Sequence, residues 1–80
     1  MSEIESRLVR CFQAVFPDLT ETQIPKATQE TVPAWDSMAT ITLIGVVDDE
    51  FHIQVDIDQL ANLDSFERFN AYLKNATQVS

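Results

Sequence analysis

Gly45 is the only glycine in a chain of 80 residues, and it sits inside an apolar run instead of at a chain reversal. Folds made of many short strands need tight turns, where glycine supplies positive φ, so a chain this poor in glycine is directed toward helices. Hydrophobic residues make up 45% of the sequence, which suits a packed core and argues against disorder. A chain of this size buries so little surface that all of it, residues 1–80, is needed for one core. A separate catalytic domain within these residues is not expected.

The apolar periodicity predicts three main helices and one short one. Ser2 and Glu5 have the spacing of a capping box, and Ile4, Leu8, Cys11, Phe12 and Val15 form a helical stripe over residues 3–16 that Pro17 closes. Cys11 lies on that stripe, as a core thiol without a function. Residues 17–36 are polar and broken by Pro17, Pro25 and Pro33, and read as a long loop anchored by Leu19, Ile24, Val32 and Trp35.

Residues 37–51 are rich in β-branched side chains, yet Met38, Ile41, Ile44, Val47 and Phe51 fit one helical stripe and Asp36 suits the N-cap. His52 to Val55 reads as an extended connection with two buried aliphatics. Asp56 or Asp58 then caps a short helix over residues 56–61 carrying Ile57, Leu60 and Ala61. A last helix over residues 65–75 begins from an Asp64–Glu67 capping box, carries Phe66, Phe69, Ala71, Tyr72 and Leu73, and frays from Asn75. The expected fold is all-α, a small antiparallel bundle with a long loop between helices 1 and 2.

Thirteen acidic residues against five basic give a net charge of −8, which makes nucleic acid an unfavourable partner. The imbalance is concentrated: no Lys or Arg occurs between Lys26 and Arg68. Such a field attracts basic partners and discourages self-association, so a monomer is expected. One cysteine cannot form an internal disulfide, no secretory leader is evident, and no apolar run approaches the roughly 20 residues of a membrane span. A cytoplasmic protein is expected.

Two features of the second helix are locally unfavourable. Gly45 costs about 1 kcal/mol relative to Ala, and Asp48, Asp49 and Glu50 crowd the end where the macrodipole prefers cations by about 0.3–1 kcal/mol each. A missing side chain permits close approach by another surface, and clustered carboxylates offer points for a partner's Lys or Arg.

Conventional catalysis finds little support. Ser37 is outside any Gly-x-Ser-x-Gly elbow, and His52 lies a helix length away, about 22 Å at 1.5 Å per residue. No Cys or second His accompanies His52 as a metal ligand, and Asp56 and Asp58 lack the Gly and Glu of a calcium loop, so no metal site is assigned. Ser37, at the start of a helix, is instead a place to attach something.

The segment from Val32 to Leu73, with Trp35, Asp36, Ser37 and Met38 leading into Ile41, Leu43, Ile44, Val47, Asp48, Asp49, Glu50 and Phe51, then Ile53 and Val55, resembles the acyl carrier protein family. The family's signature is Asp-Ser-Leu at the start of the second helix, and here the register continues for about 40 residues. The resemblance implies a non-enzymatic carrier whose Ser37 receives 4'-phosphopantetheine from coenzyme A, through a separate magnesium-dependent phosphopantetheinyl transferase. Its thiol would hold acyl intermediates of a fatty-acid, polyketide or related pathway as thioesters. By the same resemblance, Asp36, Met38, Asp48, Asp49 and Glu50 face basic docking patches of acyl-loading, condensing or transferring enzymes, with Ile41 as an apolar contact. Val47, Leu60 and Ala61 would line the space for an acyl chain.

Met38 replaces the usual Leu, Thr42 stands where an acid is common, and Gly45 takes a place often given to a bulky apolar residue. With Trp35 before the motif, these departures resemble specialised stand-alone carriers more than housekeeping ones. An aminoacyl or peptidyl carrier is a variant of this reading. An unmodified acidic helical adaptor is the alternative of a different class.

Overall fold

The computed structural model describes residues 3–77. Among these it contains three α-helices, α1 (Glu3–Val15), α2 (Ser37–Phe51) and α3 (Phe66–Thr77), two 3₁₀ turns (Ile24–Lys26 and Ile57–Asn62), and no strand. The all-helical expectation holds at this level. The Ser2 half of the expected capping box lies outside the described residues. No described helix is long and apolar enough to cross a membrane.

Helices α1 and α2 run antiparallel. Arg7, near the start of α1, donates to Glu50 near the end of α2, while Phe16, just past the end of α1, packs on Trp35 just before α2 at a ring separation of 5.7 Å. Phe12 is the hub of the core, fully buried and meeting Trp35, Phe66 and Phe69 edge-on at 5.3, 5.2 and 5.6 Å. Its ring thus joins α1 to the long loop and to α3, in the edge-to-face geometry that aromatic quadrupoles favour.

The loop between α1 and α2 is shorter in its unstructured parts than expected, because Pro25 sits in a 3₁₀ turn. Ile24, Val32 and Trp35 are buried as anchors, Leu19 is half-buried, and Ala27 joins the core as well. The loop is also sewn to the start of α3: Gln29 N–H donates to the Asp64 carbonyl at 2.9 Å and Phe66 N–H to the Ala27 carbonyl at 3.0 Å.

Several boundaries and faces differ from the sequence expectation. The second short helix is 3₁₀ in form and runs Ile57–Asn62, with the Asp56 carboxylate accepting from Asp58 N–H. Ser65, not Asp64, caps α3: its hydroxyl accepts from Arg68 N–H at 3.1 Å, while the Asp64 carboxylate pairs with Arg68. Helix α3 continues through Asn75 to Thr77, past the expected point of fraying. Ala71 is exposed, and the buried face of α3 is Phe66, Phe69 and Leu73. Of the two aliphatics in the connection after α2, Val55 is buried and Ile53 half-buried.

The main correction concerns the buried stripe of α2. Thr40, Leu43, Ile44 and Val47 are buried, whereas Met38 and Ile41 are 72% and 47% exposed. Thr40 takes the inward place because its hydroxyl is used: it accepts from Trp35 Nε1–H at 2.7 Å and donates to the Asp36 carbonyl at 3.1 Å. Thr40→Val keeps the shape but leaves the indole N–H buried without a partner, and is expected to cost about 1–3 kcal/mol. Urea denaturation checks this; an unchanged midpoint would refute the role given to the hydroxyl.

Cys11 is buried, as its place on the stripe requires. Burial, reinforced by the Glu50 carboxylate, pushes its thiol up from 9.0 to about 11. At pH 8 this leaves about a hundredfold less thiolate than in the unfolded chain, so alkylation by iodoacetamide is expected to be slow until denaturant is added. Because the folded value is the higher one, the stability held below pH 9 falls as pH rises from 9.0 toward about 11. Rapid native-state alkylation would contradict this burial.

Candidate functional site

The start of α2 is built by Asp36. Its backbone is extended, its carboxylate accepts from Ala39 N–H at 2.9 Å, and its carbonyl accepts from Thr40 N–H at 3.0 Å. The hydrogen bond from Trp35 to Thr40 ties this cap to the aromatic core, so the first turn of α2 is rigidly held. Ser37 is the first residue of the helix and is exposed. The carboxylate of Asp36 satisfies one of the orphan N–H groups at this terminus and does not engage those of Ser37 and Met38. Ser37 therefore offers a hydroxyl to solvent at the positive end of a helix dipole.

Downstream of Ser37, Met38, Ile41, Thr42, Gly45 and Asp49 are all exposed and recur at spacings of three and four, which puts them on one solvent-facing stripe of α2. The stripe combines two large apolar side chains, a notch at Gly45 and a carboxylate. A Cβ placed on Gly45 would meet nothing within 4 Å, so nothing inside the molecule requires glycine there. Gly45→Ala is expected to stabilise the protein by about 1 kcal/mol through helix propensity. A thermal melt should rise by roughly 4–8 °C; a lower midpoint would show a constraint that the packing does not contain.

The acidic cluster at the end of α2 is divided in its duties. The Asp48 carboxylate accepts from Val55 N–H at 2.8 Å and its carbonyl from Ile53 N–H at 3.2 Å, which fastens the connection that follows the helix. His52 makes the turn possible with a left-handed backbone, φ 54° and ψ 44°. Glu50 is bonded twice by Arg7, Nε–H to Oε2 at 2.9 Å and an NH₂ group to the backbone carbonyl at 2.8 Å, while the same guanidinium lies 5.0 Å from the centre of the Phe51 ring. Arg7 thus brings from α1 the cation that the C-terminus of α2 lacks in its own sequence. Asp49 alone of the three is fully on the surface.

The sequence-derived site residues accordingly separate into groups. Asp36, Ser37, Met38 and Ile41 lie together on the exposed N-terminal half of α2, and Asp49 lies further along the same helix. Asp48 and Glu50 hold the fold together as well as contributing charge. Val47 is fully buried in the core, Leu60 is half-buried and Ala61 is exposed. Ile57, expected from the sequence as apolar content of the short helix, is instead 58% exposed. Sequence reasoning missed an apolar cleft of about 490 Å³ between the end of α1 and the end of the loop, lined by Val15, Phe16, Pro17, Leu19, Val32, Pro33 and Ala34 with Asp18. Pro17 and Pro33, flanking a polar stretch, were the available signal.

Ser37 and His52 occupy opposite ends of the continuous helix α2, about 22 Å apart along its axis, which is beyond any nucleophile–base contact. Comparison of the chain with models of protein families, with curated proteins and with solved structures finds no match in any of the three.

Proposed function

We infer that this chain is an acyl carrier protein, with the helical arrangement of that family, modified on Ser37 with phosphopantetheine. The observation that carries this reading is an exposed Ser37 hydroxyl on the first residue of a capped, rigidly anchored helix, followed by an exposed Met38–Ile41 stripe in a strongly acidic surface. The residues fit the group: the hydroxyl is accessible, the adjoining N–H groups of Ser37 and Met38 are left unused by the cap, and the helix dipole favours a phosphodiester. No Lys or Arg between Lys26 and Arg68 in sequence competes to clamp that phosphate, which suits a tether that must swing between enzymes.

In the attachment step, catalysed by the transferase, the Ser37 Oγ–phosphorus bond forms as the pyrophosphate bond of coenzyme A breaks, with the hydroxyl proton passing to the transferase and the nucleotide half leaving. The arm then supplies a thiol for thioester chemistry. This chain performs none of the chemistry on the cargo: it holds, presents and is recognised. Met38, Ile41 and Asp49 face the partner, Asp36 fixes the attachment point, and Gly45 lets a partner approach the α2 backbone closely. Thr42 and Gly45 suit a specialised pathway in the cytoplasm better than a housekeeping one.

The test is an intact-mass measurement after incubation with coenzyme A, magnesium and a broad-specificity phosphopantetheinyl transferase. The expected gain is one phosphopantetheine; no gain would refute the reading. The exposed apolar and acidic stripe also suits an unmodified adaptor for basic proteins, which would bind its partner in a salt-sensitive way whether or not the Ser37 hydroxyl is present.

A further inference from the structure

We propose that the Thr40 hydroxyl is the positioning group of the attachment reaction: it sets where the Ser37 hydroxyl stands when the arm is transferred. This rests on the carrier reading and adds which residues outside the attachment point govern its rate. Thr40 is fully buried, and its hydroxyl uses its donor and both of its acceptor positions. It accepts from Trp35 Nε1–H at 2.7 Å and from Gln29 Nε2–H at 3.4 Å, and it donates to the Asp36 carbonyl at 3.1 Å.

The Asp36 carbonyl belongs to the peptide bond that leads into Ser37. It takes the Thr40 N–H at 3.0 Å as well as the Thr40 hydroxyl, so one residue grips that peptide twice. Ser37 is exposed, and the backbone that carries it decides where its Oγ stands. The other bond of this cap, from Ala39 N–H to the Asp36 carboxylate, lies on the surface where water competes for both groups, whereas the bond from Trp35 to Thr40 is buried. The buried junction is therefore the stronger constraint. Thr42 makes the same backward bond as Thr40, to the Met38 carbonyl at 3.1 Å, but this exposed bond ties α2 only to itself.

The junction at Thr40 reaches beyond the helix. Trp35 packs on Phe12 of α1 at 5.3 Å and on Phe16 at 5.7 Å. Gln29 belongs to the long loop, and its backbone N–H donates to the Asp64 carbonyl just before α3. Helix α1, the loop and the approach to α3 thus converge on one hydroxyl, which makes the loop a frame for the attachment point. Transfer needs the attacking oxygen about 3–3.5 Å from the phosphorus, and a misplacement of about 1 Å costs on the order of a hundredfold in rate. Met38, Ile41 and Asp49 take no part in the junction, so the rate of attachment separates from the binding of the partner.

The experiment follows phosphopantetheine transfer from coenzyme A by intact mass, at varied carrier concentration, under conditions where circular dichroism shows each variant folded. Thr40→Val is expected to lower kcat by about tenfold to a hundredfold while KM for the carrier changes less than about twofold. Thr40→Ser keeps the hydroxyl and should restore kcat. Trp35→Phe removes the indole donor and should also lower kcat; combined with Thr40→Val it should add little, because the two side chains act as a unit. Amide hydrogen exchange at Ala39 and Thr40 should quicken in Thr40→Val and Trp35→Phe. Leu73→Val, a change in the buried face of α3, should lower stability without moving kcat. Should Thr40→Val not fold, Trp35→Phe decides by the same criterion. An unchanged kcat, a loss carried by KM alone, or an equal fall in Leu73→Val overturns the positioning role and leaves the carrier reading intact. Failure of the unsubstituted chain to take the arm overturns both.

Discussion

Phe12→Ala is expected to destabilise the protein by about 3–5 kcal/mol, the range for removing a fully buried aromatic ring. A domain of this length commands roughly 4–12 kcal/mol in all, at about 0.05–0.15 kcal/mol per residue, so this one change consumes a large part of it. The loss is large for a specific reason. The Phe12 ring meets Trp35, Phe66 and Phe69, which come from the long loop and from α3. Its removal leaves a cavity where three segments meet, and none of them can close it without losing its contacts with the others. Urea denaturation followed by far-UV circular dichroism checks the prediction. A midpoint close to that of the unsubstituted chain would mean that the aromatic cluster is not what holds the loop to the helices.

The same cluster positions the candidate site. Phe12 holds Trp35, Trp35 holds Thr40, and Thr40 with Asp36 fixes the first turn of α2, so the Ser37 hydroxyl is presented from a rigid base. Helix α2 was legible to the residue at both ends, because Asp36 is a strong cap and the apolar content continues without a break to Phe51. Its facing was not. Apolar side chains lie on nearly every side of this helix, so periodicity alone admits more than one stripe, and the hydrogen bond that draws Thr40 inward comes from a side chain outside the helix. The 3₁₀ turn at Pro25 is too short to leave a periodic signal. Asp64 and Ser65 are both good caps in sequence, and only the position of the Arg68 N–H decides between them.

The acidic cluster shows the limit of local reasoning most clearly. Asp48, Asp49 and Glu50 read as an unbalanced charge at the wrong end of a helix, a pattern that invites a partner. The cation that balances it is Arg7, 43 residues away in sequence, and no window along the chain could have paired them. Two of the three carboxylates thus have work inside the fold, and the partner-facing share of α2 shifts toward Met38, Ile41 and Asp49. The residue types at Ser37 and its neighbours were legible; which of them are free to meet another molecule was not.

Attachment at Ser37 has the largest expected effect of any single substitution, since the hydroxyl either accepts the arm or does not. Ser37→Ala should fold normally, because the side chain is exposed and Asp36, not Ser37, supplies the cap. It should nevertheless lose the modification completely. The most direct measurement is peptide mapping by tandem mass spectrometry of the unsubstituted chain and of Ser37→Ala, after each has met coenzyme A, magnesium and the transferase. The account predicts one phosphopantetheine, located on Ser37 in the first and absent from the second. An unmodified chain, or an arm found on any other residue, would contradict it.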